Sequence, residues 1–267
     1  MSLIADVTTE EAILLREDND GVTTLTLNRP KQYNALAEIV LDTLQKELEK
    51  IANDESVRVV VLAAKGKAFC AGHDLKEMRS QPDESYYNAL FDKCSRMMMT
   101  IHRLPQPVIA KVQGIATAAG CQLVAICDLA VAADTARFAT SGINVGLFCS
   151  TPAVAVSRNL SRKKALEILL TGEFIDAQTA LEQGLVNRVV PLEALDAEVI
   201  ALAEAIKAKS PVAVKTGKEM FYRQLEMGIE EAFHYASQVM ACNMMAEDAG
   251  EGIDAFIEKR QPVWKGR

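Results

Sequence analysis

The chain has 267 residues, 49 % apolar and 24 % charged, which suits one large domain, or one domain with an appendage, around a full core. A net charge of −7 with no long basic tract argues against non-specific nucleic-acid binding, and the longest apolar runs, Val59–Ala64 and Leu123–Cys127, are too short to span a bilayer. Six scattered cysteines without a C-x-x-C pair read as reduced core thiols, and three histidines with no i,i+4 pair give no metal site to expect.

The segment Met1–Asp18 has neither the basic and apolar regions of a signal peptide nor the low acidity of a transit peptide, so a cytoplasmic location is expected. Ala12–Arg16 and Val22–Leu27 read as strands joined by Glu17-Asp18-Asn19-Asp20-Gly21, a hairpin connection. Beyond Asn28-Arg29-Pro30 the apolar residues Leu36, Val40, Leu44, Leu48 and Ile51 recur at three- and four-residue steps, which predicts an amphipathic helix. Val57–Ala64 and Pro107–Val112 are buried strands, with a helix from about Ser85 to His102 between them, and Leu129–Ala133 is a further strand. Strands separated by helices predict an α/β arrangement. After Ser161 only Leu185–Val190 reads as strand. Helices are expected near Arg162–Leu170, Ala177–Gln183, Leu192–Lys209, Val212–Gln224, Ile229–Met245 and Gly250–Arg260. The boundary of a helical C-terminal module is placed near residue 200.

Two segments are candidates for chemistry. Lys67-Ala68-Phe69-Cys70-Ala71-Gly72-His73-Asp74-Leu75-Lys76-Glu77-Met78 follows a strand, and its small residues leave backbone open to a ligand. Gln113-Gly114-Ile115-Ala116-Thr117-Ala118-Ala119-Gly120-Cys121-Gln122 follows another strand and enters a short apolar helix. The free N–H groups of that helix's first turn favour developing negative charge. Close helix–sheet packing also asks for Ala and Gly, so neither segment decides the matter by itself.

Together, and with Leu27-Asn28-Arg29-Pro30, Asn34-Ala35-Leu36, Leu104-Pro105-Gln106-Pro107, Cys127-Asp128-Leu129 and Ala255-Phe256-Ile257-Glu258-Lys259-Arg260, they make the chain resemble the crotonase (enoyl-CoA hydratase/isomerase) superfamily over nearly its whole length. The resemblance implies a spiral of ββα units over residues 1–200 and a helical oligomerisation module over residues 201–267, building trimers or dimers of trimers. It implies an acyl-CoA thioester as substrate, with coenzyme A part of that substrate and no separate cofactor. The backbone N–H groups of His73 and Ala119 would receive the thioester oxygen. Lys31, Ala71, Asp74, Leu75, Phe256 and Lys259 would meet CoA or the substrate, the last two commonly from a neighbouring subunit.

The pattern breaks at two positions. Hydratases of the family use two glutamates on water, and here those positions hold Gln122 and Gly142. Glutamine exchanges no proton near neutral pH and glycine has no side chain, so hydration by the two-glutamate route is not expected. Restoring both glutamates is expected to create hydration if the scaffold is otherwise intact. His73 is the substitute acid or base to consider; Asn144, Cys149 and Ser150 are candidate pocket walls, and Met97–Met99 and Met244–Met245 are candidate pocket or core residues. The absence of G-x-S-x-G and of a convincing base argues against a Ser-His-Asp hydrolase. The alternative to an enzyme is a non-catalytic acyl-CoA-binding oligomer.

Overall fold

β1 (Leu14–Asn19) and β2 (Val22–Leu27) form an antiparallel hairpin closed by Asp20 and Gly21. Both turn residues have positive φ, 44° and 78°, as in a type I′ turn whose twist matches that of the strands. Glu17–Asn19, expected in the connection, belong to the strand. Their polar side chains face solvent, and Asp18 accepts the Thr23 hydroxyl at 2.6 Å. The computed structural model describes residues 12–267, so the leader reading of Met1–Asp18 lies mostly outside the described residues.

The chain continues through α1 (Glu38–Ala52), β3 (Val59–Ala64), β4 (Ala68–Cys70), α2 (Leu75–Ser80), α3 (Glu84–Arg103), β5 (Val108–Val112), β6 (Ile115–Thr117), α4 (Ala119–Ile126), β7 (Leu129–Ala133) and β8 (Arg137–Ala139). Then come α5 (Ser150–Asn159), α6 (Arg162–Thr171), β9 (Ile175–Asp176), α7 (Ala177–Glu182), β10 (Arg188–Val190), α8 (Leu195–Lys207), α9 (Pro211–Gln224), α10 (Ile229–Met244) and α11 (Glu247–Glu258).

Two sheets result. The first runs β1-β2-β3-β5-β7-β10 and is parallel except for β1; the second runs β4-β6-β8-β9, with only β9 antiparallel. In three successive passes, β3 to β4, β5 to β6 and β7 to β8, the chain places one strand in each sheet, which is a ββα spiral. Every residue of β3 is buried because both faces of the first sheet are covered. Leu25, Leu62 and Val108 pack in the cluster that contains Val40, Leu44 and Leu48 of α1. Val59, Val61 and Ile109 face Leu195, Val199 and Leu202 of α8. Leu36, read as the first helical position, is extended instead and pairs with His73.

Residue 200, near which the division is expected, lies within α8, whose Leu195, Val199 and Leu202 pack on the first sheet. Lys218 of α9 is nearly sealed and donates to the carbonyls of Ile101 and Gln106 and, at 2.6 Å, to Asp128, which also accepts from the Tyr222 hydroxyl. Burial holds Lys218 below the usual lysine range, while Asp128 pulls the other way. α9 to α11 otherwise expose large apolar side chains, among them Phe221, Ile229, Phe233 and Phe256.

Candidate functional site

β4 and β6 are neighbours in one parallel ladder, with Ala68 opposite Ile115 and Cys70 opposite Ala116. Their C-terminal ends therefore release two turns side by side, 71–74 and 118–120. Two glycines permit the contact. Gly72 has φ 89°, and a Cβ there would stand 2.9 Å from Ala118 Cβ and 3.1 Å from the Ala119 nitrogen. A Cβ on Gly120 would overlap the Cys70 carbonyl oxygen. Ala118, the N-cap of α4, has φ 51° and ψ −123°, a strained conformation held by its N–H bond to the Ala139 carbonyl at 3.0 Å. This kink starts α4 with Ala119, whose N–H has no helical acceptor.

The other turn is braced from outside. Leu36 N–H donates to the Gly72 carbonyl at 2.8 Å, and Ala71 N–H donates to Tyr33 O at 3.1 Å. Asn34, fully buried, accepts from Arg29 N–H and donates to the carbonyls of Lys65 and Ala68. Arg29 also reaches Asp74 at 3.7 Å, while Asp74 caps α2 through the N–H groups of Lys76 and Glu77. The Leu36–His73 bridge uses the carbonyl preceding His73, not the His73 N–H. Among the described residues, neither His73 N–H nor Ala119 N–H has a hydrogen-bond acceptor.

A cavity of about 370 Å³ opens beside both residues. Ala71, His73, Leu75, Ala119 and Gly142 from the sequence reading line it, as do Cys149 and Ser150. Met78 ends the first candidate segment, Lys67–Met78, and Val145 follows Gly142 in sequence; the walls Phe91, Leu147 and Phe148 were not singled out, each being one apolar residue in a segment with no distinctive pattern. Asp74 stands next to the cavity as a cap and does not line it. Gln122 lies one helical turn behind Ala119, buried, with Oε1 unpartnered. Lys31 is exposed on a one-turn 3-10 helix, Pro30–Gln32, beside the Tyr33 carbonyl that braces Ala71. Phe256, 85 % exposed, and Lys259 belong to the end of α11 and are not among the cavity walls of their own chain. Asn144 turns away from the cavity toward the Gly172 carbonyl, and Met97 and Met98 are core.

No carboxylate lines the cavity among the described residues. The His73 ring packs edge-on against Phe91, at 5.4 Å between centroids, and its Nε2 is sealed without a partner. Burial lowers His73 to about 4, so it is neutral near pH 7. Burial also raises Cys70 and Cys121, behind the two turns, to about 12, as befits inert core thiols.

Residues 17–267 match the family model described as enoyl-CoA hydratase/isomerase. The mouse (Mus musculus) enoyl-CoA hydratase domain-containing protein 3, mitochondrial, is 46 % identical over 255 residues, 96 % of this chain and 85 % of that protein. The crystal structure of an enoyl-CoA hydratase from Mycobacterium smegmatis superposes with a TM-score of 0.94 at 60 % identity, covering 95 % of this chain and 99 % of the other. Human enoyl coenzyme A hydratase domain-containing protein 3 superposes at 0.93 with 45 % identity, covering 95 % and 100 %. These relatives correct the cytoplasmic expectation, since the mouse protein and its rat, frog and human counterparts are all named as mitochondrial. The cytoplasmic expectation rested on the acidic Met1–Asp18 segment, a weak guide to compartment.

Proposed function

From the premise that the chain belongs to the enoyl-CoA hydratase/isomerase family, we propose that it processes acyl-CoA thioesters by holding the thioester oxygen between the N–H groups of His73 and Ala119. The observation behind this reading is the pair of unpartnered N–H groups at the ends of adjacent parallel strands, beside a largely apolar cavity. As an enolate develops at the thioester, each donor contributes about 3 kcal/mol, because it is preorganised and shielded from water. Lys31, Ala71 and Leu75 meet the CoA portion. Exposed apolar side chains on α9 to α11 support assembly into trimers or paired trimers, in which Phe256 and Lys259 reach a neighbouring subunit's CoA.

Addition of water by two glutamates has no support, with Gln122 buried and Gly142 bare. Proton movement at the α-carbon, as in isomerisation, or thioester or C–C bond chemistry depends less on those groups. A second reading, a binder of acyl-CoA that performs no chemistry, is favoured by one observation: among the described residues no carboxylate lines the cavity, and the imidazole of His73 is a weak base.

A panel of acyl-CoAs separates the two, combined with NMR of α-proton exchange in D2O. Turnover or exchange well above the protein-free rate supports the enzyme. Tight binding with neither, and no change on His73→Ala, supports the binder. Failure of CoA and every acyl-CoA to bind rejects both.

A further inference from the structure

After β8 the chain does not leave the site. It doubles back through residues 141–149 and forms the inner wall of the cavity. The reversal closes on Gly142, whose carbonyl accepts the Leu147 N–H at 2.9 Å, with Gly146 at φ 81° turning the backbone. Ser141 ties the start of this turn to β6 through a 2.7 Å bond to the Thr117 hydroxyl.

The space a side chain at 142 would fill is already occupied. A Cβ there would lie 2.7 Å from Cys149 Sγ and 2.7 Å from the Leu147 carbonyl oxygen, which is backbone and cannot simply rotate away. The turn presents Val145, Leu147 and Phe148 to the cavity, facing Met78 and Phe91 across it. Among the described residues no lining side chain is permanently charged, and burial keeps the two titratable ones, His73 and Cys149, uncharged near neutral pH. An acyl group ending in a carboxylate would lose its hydration here and find no cation in exchange.

We propose that Gly142 and the Leu147–Cys149 turn form a plug behind the acyl group, which selects uncharged acyl chains. This rests on the acyl-CoA reading above. Gly142 is the determinant of specificity, since any β-carbon at that position forces Leu147 and Cys149 to move. Gln122→Glu together with Gly142→Glu therefore displaces the plug before it restores an acid.

Isothermal titration of the full chain with CoA, octanoyl-CoA and glutaryl-CoA tests the plug, alongside N-ethylmaleimide labelling of Cys149 mapped by mass spectrometry. Octanoyl-CoA should bind at least about tenfold tighter than CoA, with glutaryl-CoA no tighter than CoA. Cys149 should label far more slowly in the native protein than in the urea-unfolded chain. Gly142→Ala should speed that labelling by about tenfold and erase the octanoyl gain. Leu147→Arg, at a half-exposed position that folding tolerates, should raise glutaryl-CoA affinity by about tenfold. Glutaryl-CoA binding the wild type as tightly as octanoyl-CoA, native labelling as fast as unfolded, or no glutaryl gain in Leu147→Arg would each overturn the plug and leave the acyl-CoA reading standing. If neither CoA nor octanoyl-CoA binds, that reading falls and the plug falls with it.

Discussion

The two sheets of this molecule do different work. The first has central strands of five or six residues, buried on both faces between α1 and α3 on one side and α8 on the other. The second has strands of two or three residues, yet the turns at its ends hold the free N–H groups and half of the cavity wall. Stability resides mainly in the longer ladder and, on the proposed reading, chemistry in the shorter one. Each should therefore be open to damage with limited effect on the other.

Lys218→Ala presses hardest on the stability side. It leaves Asp128 buried against β5 and β7 without its cation, and should cost about 3–5 kcal/mol in urea denaturation. Octanoyl-CoA affinity of the folded protein should be unchanged; a large loss would mean that the two ladders are coupled. Gly72→Ala presses on the other side. With φ at 89° and Ala118 in the way, it should cost about 1–3 kcal/mol of stability but lower acyl-CoA affinity by at least about tenfold. Retained affinity would show that the turn relaxes without moving its N–H group.

His73 sharpens the contrast through pH. Burial depresses its folded value to about 4, below the roughly 6.5 of an unfolded chain. The unfolded state thus takes up the proton first, so stability is full above about pH 6.5 and drains away as pH falls toward 4. Between pH 7 and 5 the wild type should lose up to about 2 kcal/mol more than His73→Gln, measured by denaturation at each pH. Equal losses would indicate that water reaches the ring. Ser141→Ala is the mildest change, removing the tie to Thr117 for about 1 kcal/mol, with a measurable fall in octanoyl-CoA affinity if the turn needs that tie.

The same contrast governs what could be read from residues alone. Val59–Ala64, Leu129–Ala133 and the helix from Glu84 to Arg103 are long enough for burial and period to show, and each lies within two residues of its expected bounds. Ala68–Cys70 and Ile115–Thr117 are too short to display any period, so they passed for loop, although their small residues and glycines marked the right places. His73, Ala119 and Gly142 came from resemblance to a family; spacing alone offered only a glycine-rich loop and a helix start. Phe91, Leu147 and Phe148 were invisible because a cavity is made by distant segments meeting, and no local pattern records the meeting. Gly142 shows this most plainly. In the chain it is a missing acid; in the fold it is space already taken by Cys149.

One consequence follows from β4 and β6 being immediate neighbours. Adjacent strands lie about 4.8 Å apart, so the two turns leave the ladder side by side, and Gly72 and Gly120 set how closely they then approach. On the proposed reading, substitutions in the cavity wall redecorate the acyl surroundings, whereas the hold on the oxygen is open to damage mainly at those two glycines. On that reading, one reaction can be exchanged for another while the grip on the same functional group is kept.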